Sequence, residues 1–180
     1  MRKPFHIAAA ALLILNLGTA AAQDEPRTVP QVDLDRYVGT WYEIARLPNR
    51  FQSQCVGNVT AQYAKREDGR IDLINRCKNE SGNWDVAQGE ARIVDKGTNA
   101  KLEVRFAPAW LSWLPMVWGD YWILDLAPDY SYAAVGDPAR ENLWILSRTP
   151  QLSDKVYQAL TAHLATQGYD VNQLSKTRQD

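Results

Sequence analysis

The sequence predicts an all-β fold: an eight-stranded antiparallel up-and-down β-barrel with one C-terminal α-helix packed on its wall. Three observations lead there. Short segments rich in Val, Ile, Tyr and Trp recur along the chain, punctuated by turn residues at regular intervals. Three of those intervals, Glu67-Asp68-Gly69, Ser81-Gly82-Asn83 and Lys96-Gly97-Thr98-Asn99, are hairpin signals, so strand order should follow sequence order. Finally, Gly39-Thr40-Trp41 opens the first strand and Arg148 ends the last. A closed barrel brings those two strands side by side, where a tryptophan and an arginine can stack and plug one end.

At 180 residues the chain has room for one domain with a proper core. Residues 1–22 read as an export signal, with basic Arg2 and Lys3, an apolar run over 7–17 and small residues Ala20-Ala21-Ala22. That run is shorter than the roughly 20 residues that span a bilayer. No cysteine lies near the cleavage region, so anchoring by an N-terminal lipid is not expected. The expected location is the periplasm, with association to the outer membrane left open. Residues 23–36, with Pro26 and Pro30, suit an extended leader crossing the closed end of the barrel. The barrel domain is expected over 37–174, followed by a polar, frayed tail at 175–180.

Strands are expected at 40–47, 57–64, 70–77, 85–94, 101–107, 119–126, 132–137 and 143–147. Ser153 is placed to cap a helix running to about Gln167, with Val156, Leu160 and Leu164 on one face and Gly168 beyond its end. Residues 169–174 are expected to add a short edge strand. Cys55 and Cys77 are the two cysteines, set at similar distances on either side of the Glu67–Gly69 turn. In an oxidising compartment pairing is the default, and the bridge would stabilise by roughly 3 kcal/mol. The alternative is two unpaired buried thiols.

Net charge is −1 with both signs interspersed, and no basic stripe follows a phosphate backbone, so nucleic acid is not an expected partner. Alternation along each strand predicts which side chains face the lumen. Leu102, Val104 and Phe106 face in, against Lys101, Glu103 and Arg105. Val59, Ala61 and Tyr63 face in on the second strand, Ile71 and Leu73 on the third, and Gly89 and Ala91 on the fourth. Tyr121, Ile123 and Trp144 complete the expected lining, with Ala45 added from the first strand. Small residues at inward positions favour room for one small ligand over a solid core.

Three separated segments carry a family resemblance. They are Tyr37-Val38-Gly39-Thr40-Trp41-Tyr42-Glu43-Ile44-Ala45-Arg46, then Gly119-Asp120-Tyr121-Trp122-Ile123-Leu124, and Leu143-Trp144-Ile145-Leu146-Ser147-Arg148-Thr149-Pro150. In these the chain resembles the lipocalin family, and especially its bacterial group with the related apolipoprotein D and plant temperature-induced lipocalins. The resemblance covers essentially all of the mature chain. It implies a cup binding small hydrophobic molecules, in this group fatty acids and lysophospholipids, in the cell envelope, with a role in membrane maintenance under stress. No reaction and no cofactor are implied. Some members of the group are outer-membrane lipoproteins, and this chain departs from them in lacking the lipid-bearing cysteine.

Other signals bear on function. Gly39, Trp41 and Arg148 read as structural barrel closure, with Trp41 over Arg148 in a cation–π contact. Glu43 shares the face of Trp41, where an ion pair or bound water should compensate its carboxylate. The loop around Trp110, Leu111, Trp113 and Leu114 is almost uncharged and apolar, which marks contact with a membrane, a second subunit of a homodimer or the barrel rim. His163 falls in the expected helix, away from both cysteines, and reads as a surface histidine. No zinc spacing, phosphate loop or nucleophile elbow is present, so neither a metal site nor an enzyme is expected. Two alternatives stay open: a lipid-modifying enzyme using Cys55 as a pocket thiol, and a module docking a protein through the Trp-rich loop.

Overall fold

The computed structural model describes residues 24–180, so the expected export signal lies outside the described residues. Eight strands follow one another around the barrel: β1 (Gly39–Arg46), β2 (Cys55–Lys65), β3 (Ile71–Asn79), β4 (Trp84–Ile93), β5 (Lys101–Arg105), β6 (Gly119–Leu126), β7 (Tyr132–Gly136) and β8 (Leu143–Ser147). Each pairs antiparallel with the next, and β1 closes the ring by pairing with both β8 and β2. A short helix α1 (Leu34–Tyr37) precedes the barrel, α2 (Asp154–Thr166) follows it, and a two-residue strand β9 (Ser175–Lys176) adds to β1. The connections β2–β3, β4–β5 and β6–β7 share one end with α1, here termed the base. The connections β1–β2, β3–β4, β5–β6 and β7–β8 share the other, the mouth.

Two apolar cores follow from strand alternation. The inner one gathers Trp41, Tyr63, Ile71, Leu73, Ala91, Leu102, Tyr121 and Ile123, together with Val32 and Tyr37 from the leader and α1. The outer one lies beneath α2, where Leu160 and Leu164 meet Ile44, Trp122, Leu124, Leu143 and Ile145. Trp122 and Leu124 thus supply the apolar outer face of β6, which explains why that strand reads as apolar on both sides. Ser153 caps α2 through its hydroxyl, which accepts from the Val156 amide. The leader crosses the base: the Val29 amide donates to Ile123 and the Val32 amide to Thr98.

Several expectations need correction. β5 ends at Arg105, because Pro108 brings no amide to continue the ladder and the Arg105 guanidinium folds onto the Ala107 carbonyl. Ala45 does not face the lumen. A register shift in β1 between Glu43 and Ala45 opposes Ala45 to Ile145, and both pack under α2. Residues 171–173 form a 3-10 turn, and the edge strand comes later, as β9. The tail is not frayed. β1 and β2 pair only from Gly39 to Tyr42, and beyond that point residues 175–180 enter the seam between them. The Thr177 amide donates to Ile44, and the Arg178 carbonyl accepts from the Asn58 amide. The Gln179 side chain donates to both Glu43 and Val59 carbonyls, spanning the seam. Gly57 permits this, since a Cβ there would lie 2.9 Å from the Arg178 carbonyl oxygen.

Candidate functional site: a barrel lumen sealed at the base and open at the mouth

The base is closed from the sequence upward. Gly39 has a φ of +102°, a conformation that glycine takes without strain, and a Cβ there would sit 3.3 Å from an Arg148 nitrogen. Arg148 therefore passes close over the start of β1. Its guanidinium carbon lies 3.8 Å from the centre of the Trp41 ring, and its N–H groups donate to the carbonyls of Arg36, Tyr37 and Thr40. The Trp41 indole N–H donates in turn to the Tyr37 carbonyl at 2.8 Å. Such a shielded cation–π contact stabilises by about 1–2 kcal/mol. Both groups face the closed end, away from the mouth.

Above the plug lies a floor of three hydroxyls. Tyr121 hydrogen-bonds Tyr37 at 2.8 Å and Tyr63 at 2.9 Å, all three side chains being buried. Burial pushes the Tyr63 hydroxyl up to about 12 and raises Tyr37 and Tyr121 as well, because a phenolate there would lose its hydration. The three therefore stay neutral and hydrogen-bonded at physiological pH. Tyr63, Leu73, Ala91, Leu102, Tyr121 and Ile123 are thus packed into the lower half of the lumen.

Further up the walls loosen. Ala61, Gly89, Val104 and Trp144 are half-buried, and Phe106 is exposed beside Gly89. Where β4 outruns β5, Gly89 and Phe106 also border an open cleft of about 310 Å³ on the outer wall, lined by Asp72, Gln88, Glu90 and Arg105. Val59 packs against the Cys55–Cys77 disulfide rather than against the main wall. That bridge spans a Cα separation of 5.5 Å and runs diagonally, since Cys55 opposes Asn79 after two register shifts in β2. With both cysteines joined, the thiol nucleophile of the enzymatic alternative does not exist, and that alternative falls.

A polar chain crosses the mouth side of the lumen. The Trp144 indole donates to Gln52 at 2.7 Å, and Gln52 donates to Glu43 at 2.9 Å. Glu43 also pairs with Arg46 at 2.5 Å and accepts from the Thr177 hydroxyl. The carboxylate expected to need an ion pair has one, supplied by its own strand. Asn75 is a residue that sequence reasoning missed. Alternation from Ile71 and Leu73 places it on the lumen face, and its Oδ1 is buried without a hydrogen-bond partner. The signal was present as a polar residue at an inward position of an otherwise apolar face.

The Trp-rich connection stands at the mouth, folded into two 3-10 turns, Ala109–Leu111 and Pro115–Val117. Trp110 is 73% exposed and Trp113 75%, whereas Leu111 and Leu114 are half-buried. Trp118 is held back on the outer wall between Arg92, at 4.2 Å, and Arg105, at 5.2 Å. His163 is exposed on α2, 3.9 Å from Asp125 and hydrogen-bonded with Gln167, so it takes no part in the lumen. Among the described residues no group of metal-binding side chains gathers.

Comparison with known proteins agrees with this geometry. The family described as "Lipocalin-like domain" matches residues 32–179. The chain is 40% identical over 157 residues to temperature-induced lipocalin-1 of Arabidopsis thaliana, covering 86% of this chain and 83% of that one. It is 37% identical over 166 residues to the outer membrane lipoprotein Blc of Escherichia coli, covering 92% and 89%. Apolipoprotein D of Mus musculus is 32% identical over 163 residues, covering 86% and 80%. Among solved structures, insecticyanin of the tobacco hornworm Manduca sexta superposes with a TM-score of 0.67 at 22% identity, covering 88% and 87%, which supports the fold. A closed eight-stranded barrel, a Trp–Arg plug at its base and a match spanning nearly every described residue converge on one conclusion: the chain belongs to the lipocalin family, whose barrel can bind and carry a small hydrophobic ligand.

Proposed function

We propose that the barrel carries a single-chain amphiphile, a fatty acid or a lysophospholipid, in the cell envelope, as part of membrane maintenance under stress. The observation that carries this reading is the division of the lumen: a sealed tyrosine floor below, half-buried apolar walls above, and a polar chain at the mouth. An acyl chain set against Ala61, Leu73, Gly89, Val104, Phe106 and Trp144 would gain roughly 0.8 kcal/mol per buried methylene. Its headgroup would then lie level with Asn75 and the Trp144–Gln52–Glu43 chain. The Asn75 Oδ1 can accept from the glycerol hydroxyl of a lysophospholipid and its Nδ2 can donate to a fatty carboxylate, so Asn75 suits the headgroup of either. The envelope and stress parts of the reading lean on relatives named outer membrane lipoprotein and temperature-induced lipocalin.

The test combines mass spectrometry of organic extracts from purified protein with displacement of a fluorescent fatty acid by oleate and by lysophosphatidylethanolamine. Ala87→Trp, on the lumen side of β4 and solvent-exposed, should block binding without unfolding the barrel. Asn75→Leu should weaken displacement by both competitors. No co-purified lipid together with no displacement by either competitor would sink the proposal.

A further inference from the structure

The described residues include nine exposed large apolar side chains, and eight of them stand at the mouth, Val94 alone lying at the base. They come from three separate connections and the strand ends beside them. Phe51 lies between β1 and β2, Trp84 opens β4, and Phe106, Trp110, Trp113 and Met116 follow β5. Met116 is 85% exposed and Phe51 61%. Exposed apolar surface concentrated in this way is costly in water and marks a surface that something covers.

Several features identify the cover. Cations sit beside the aromatic rings: Arg50 lies 5.2 Å from the Phe51 ring centre and the Lys78 ammonium 5.6 Å from that of Trp84. Aromatic rings with a cation alongside suit the boundary between acyl chains and phosphate headgroups, where rings enter the apolar layer and long basic side chains reach back to the phosphates. The apolar groups surround an opening instead of forming one flat patch. A planar lipid surface can meet all of them and still face the lumen, whereas a second copy set mouth to mouth would close both openings. Glu80 and Glu141 share the mouth connections, so net charge does not drive the contact; apolar insertion does.

We infer that the protein docks mouth-down on a glycerophospholipid bilayer, with the apolar side chains around the barrel opening inserted at the headgroup boundary. The docking goes beyond ligand carriage and holds whichever amphiphile fills the lumen. It places the opening against the surface from which a single-chain lipid would enter or leave.

Flotation with vesicles of phosphatidylethanolamine and phosphatidylglycerol tests it. The parent protein and Val94→Ser should float together. The triple variant Trp110→Ser/Trp113→Ser/Met116→Ser should partition at least about tenfold more weakly, and Phe51→Ser/Trp84→Ser should weaken it again from the other connections. Brominated acyl chains should quench parent tryptophan fluorescence and spare the triple variant. All of these proteins should still displace a fluorescent fatty acid in solution, which keeps a failure of docking separate from a failure of ligand carriage. Equal flotation by parent and triple variant, or flotation by neither, overturns the inference. A parent that is dimeric by light scattering, becomes monomeric in the triple variant and does not float assigns the surface to a second copy and overturns it as well.

Discussion

Tyr121 joins two hydroxyls that have no other partner inside the barrel, so its own hydroxyl holds the floor together. Tyr121→Phe leaves Tyr37 and Tyr63 with an unmet buried hydrogen bond each, and should lower stability by about 2 kcal/mol in urea titrations. An unchanged midpoint would show that the floor relaxes without cost. Glu90 is the corresponding residue on the outer wall, where it accepts from Arg105 at 2.7 Å and Arg70 at 2.9 Å. Burial pushes its carboxyl up, but the hydrogen bonds from Arg105 and Arg70 outweigh that and leave it below the usual carboxylate range. A depressed carboxylate contributes stability that is fully present above its unfolded pKa, about 4.3, and is lost as pH falls through the folded value. The parent should therefore lose stability more steeply below about pH 4 than Glu90→Gln. That variant should in turn be weaker by about 3 kcal/mol at neutral pH, because Arg105 stays buried. Parallel acid-unfolding slopes for the two proteins would remove this account.

Among the elements, the C-terminal tail joins parts of the barrel that the ladder leaves apart. It takes the place of β2 on the mouth half of β1, and its contacts bridge the open seam. Removing residues 177–180 should accelerate hydrogen exchange at the Asn58 amide and cost about 4–7 kcal/mol, because seven hydrogen bonds to the barrel go with them, at about 0.5–1 kcal/mol each. Unaltered exchange at Asn58 would mean that β1 and β2 close without the tail. Strand alternation makes the faces of β3, β4, β5 and β8 readable from the chain, because a side chain's orientation there depends only on its neighbours two positions away. The shift in β1 is different. It inserts one residue opposite β8, turns Ala45 from lumen to helix, and leaves no local mark in Glu43-Ile44-Ala45-Arg46. The exposed rim was visible only in part, since the Trp-rich run announces itself but Phe51 and Trp84 join it from distant positions.

Across the whole molecule, stabilising features are divided between the two ends. The base holds the Trp41–Arg148 plug and the tyrosine floor, while the mouth holds the Cys55–Cys77 bridge, the tail and the exposed rim. Replacing both cysteines by alanine should remove about 3 kcal/mol, lowering Tm by roughly 10 °C. Amide protection around Tyr63 and Tyr121 should persist at temperatures where the mouth half of β2 has already opened. A uniform loss of protection from both ends would show a single cooperative unit instead. The sequence by itself determined the strand count, the up-and-down order, the helix with its Ser153 cap and the pairing of Gly39-Thr40-Trp41 with Arg148. All of these rest on short-range periodicity, on turn chemistry, or on two motifs at the ends of a closed series. Only the tertiary structure decided the outward turn of Ala45, the seating of the tail in the seam, the unpartnered Asn75 oxygen and the gathering of three connections into one apolar rim. Those depend on register slips and on partners far apart in the chain, which no local pattern of residues records.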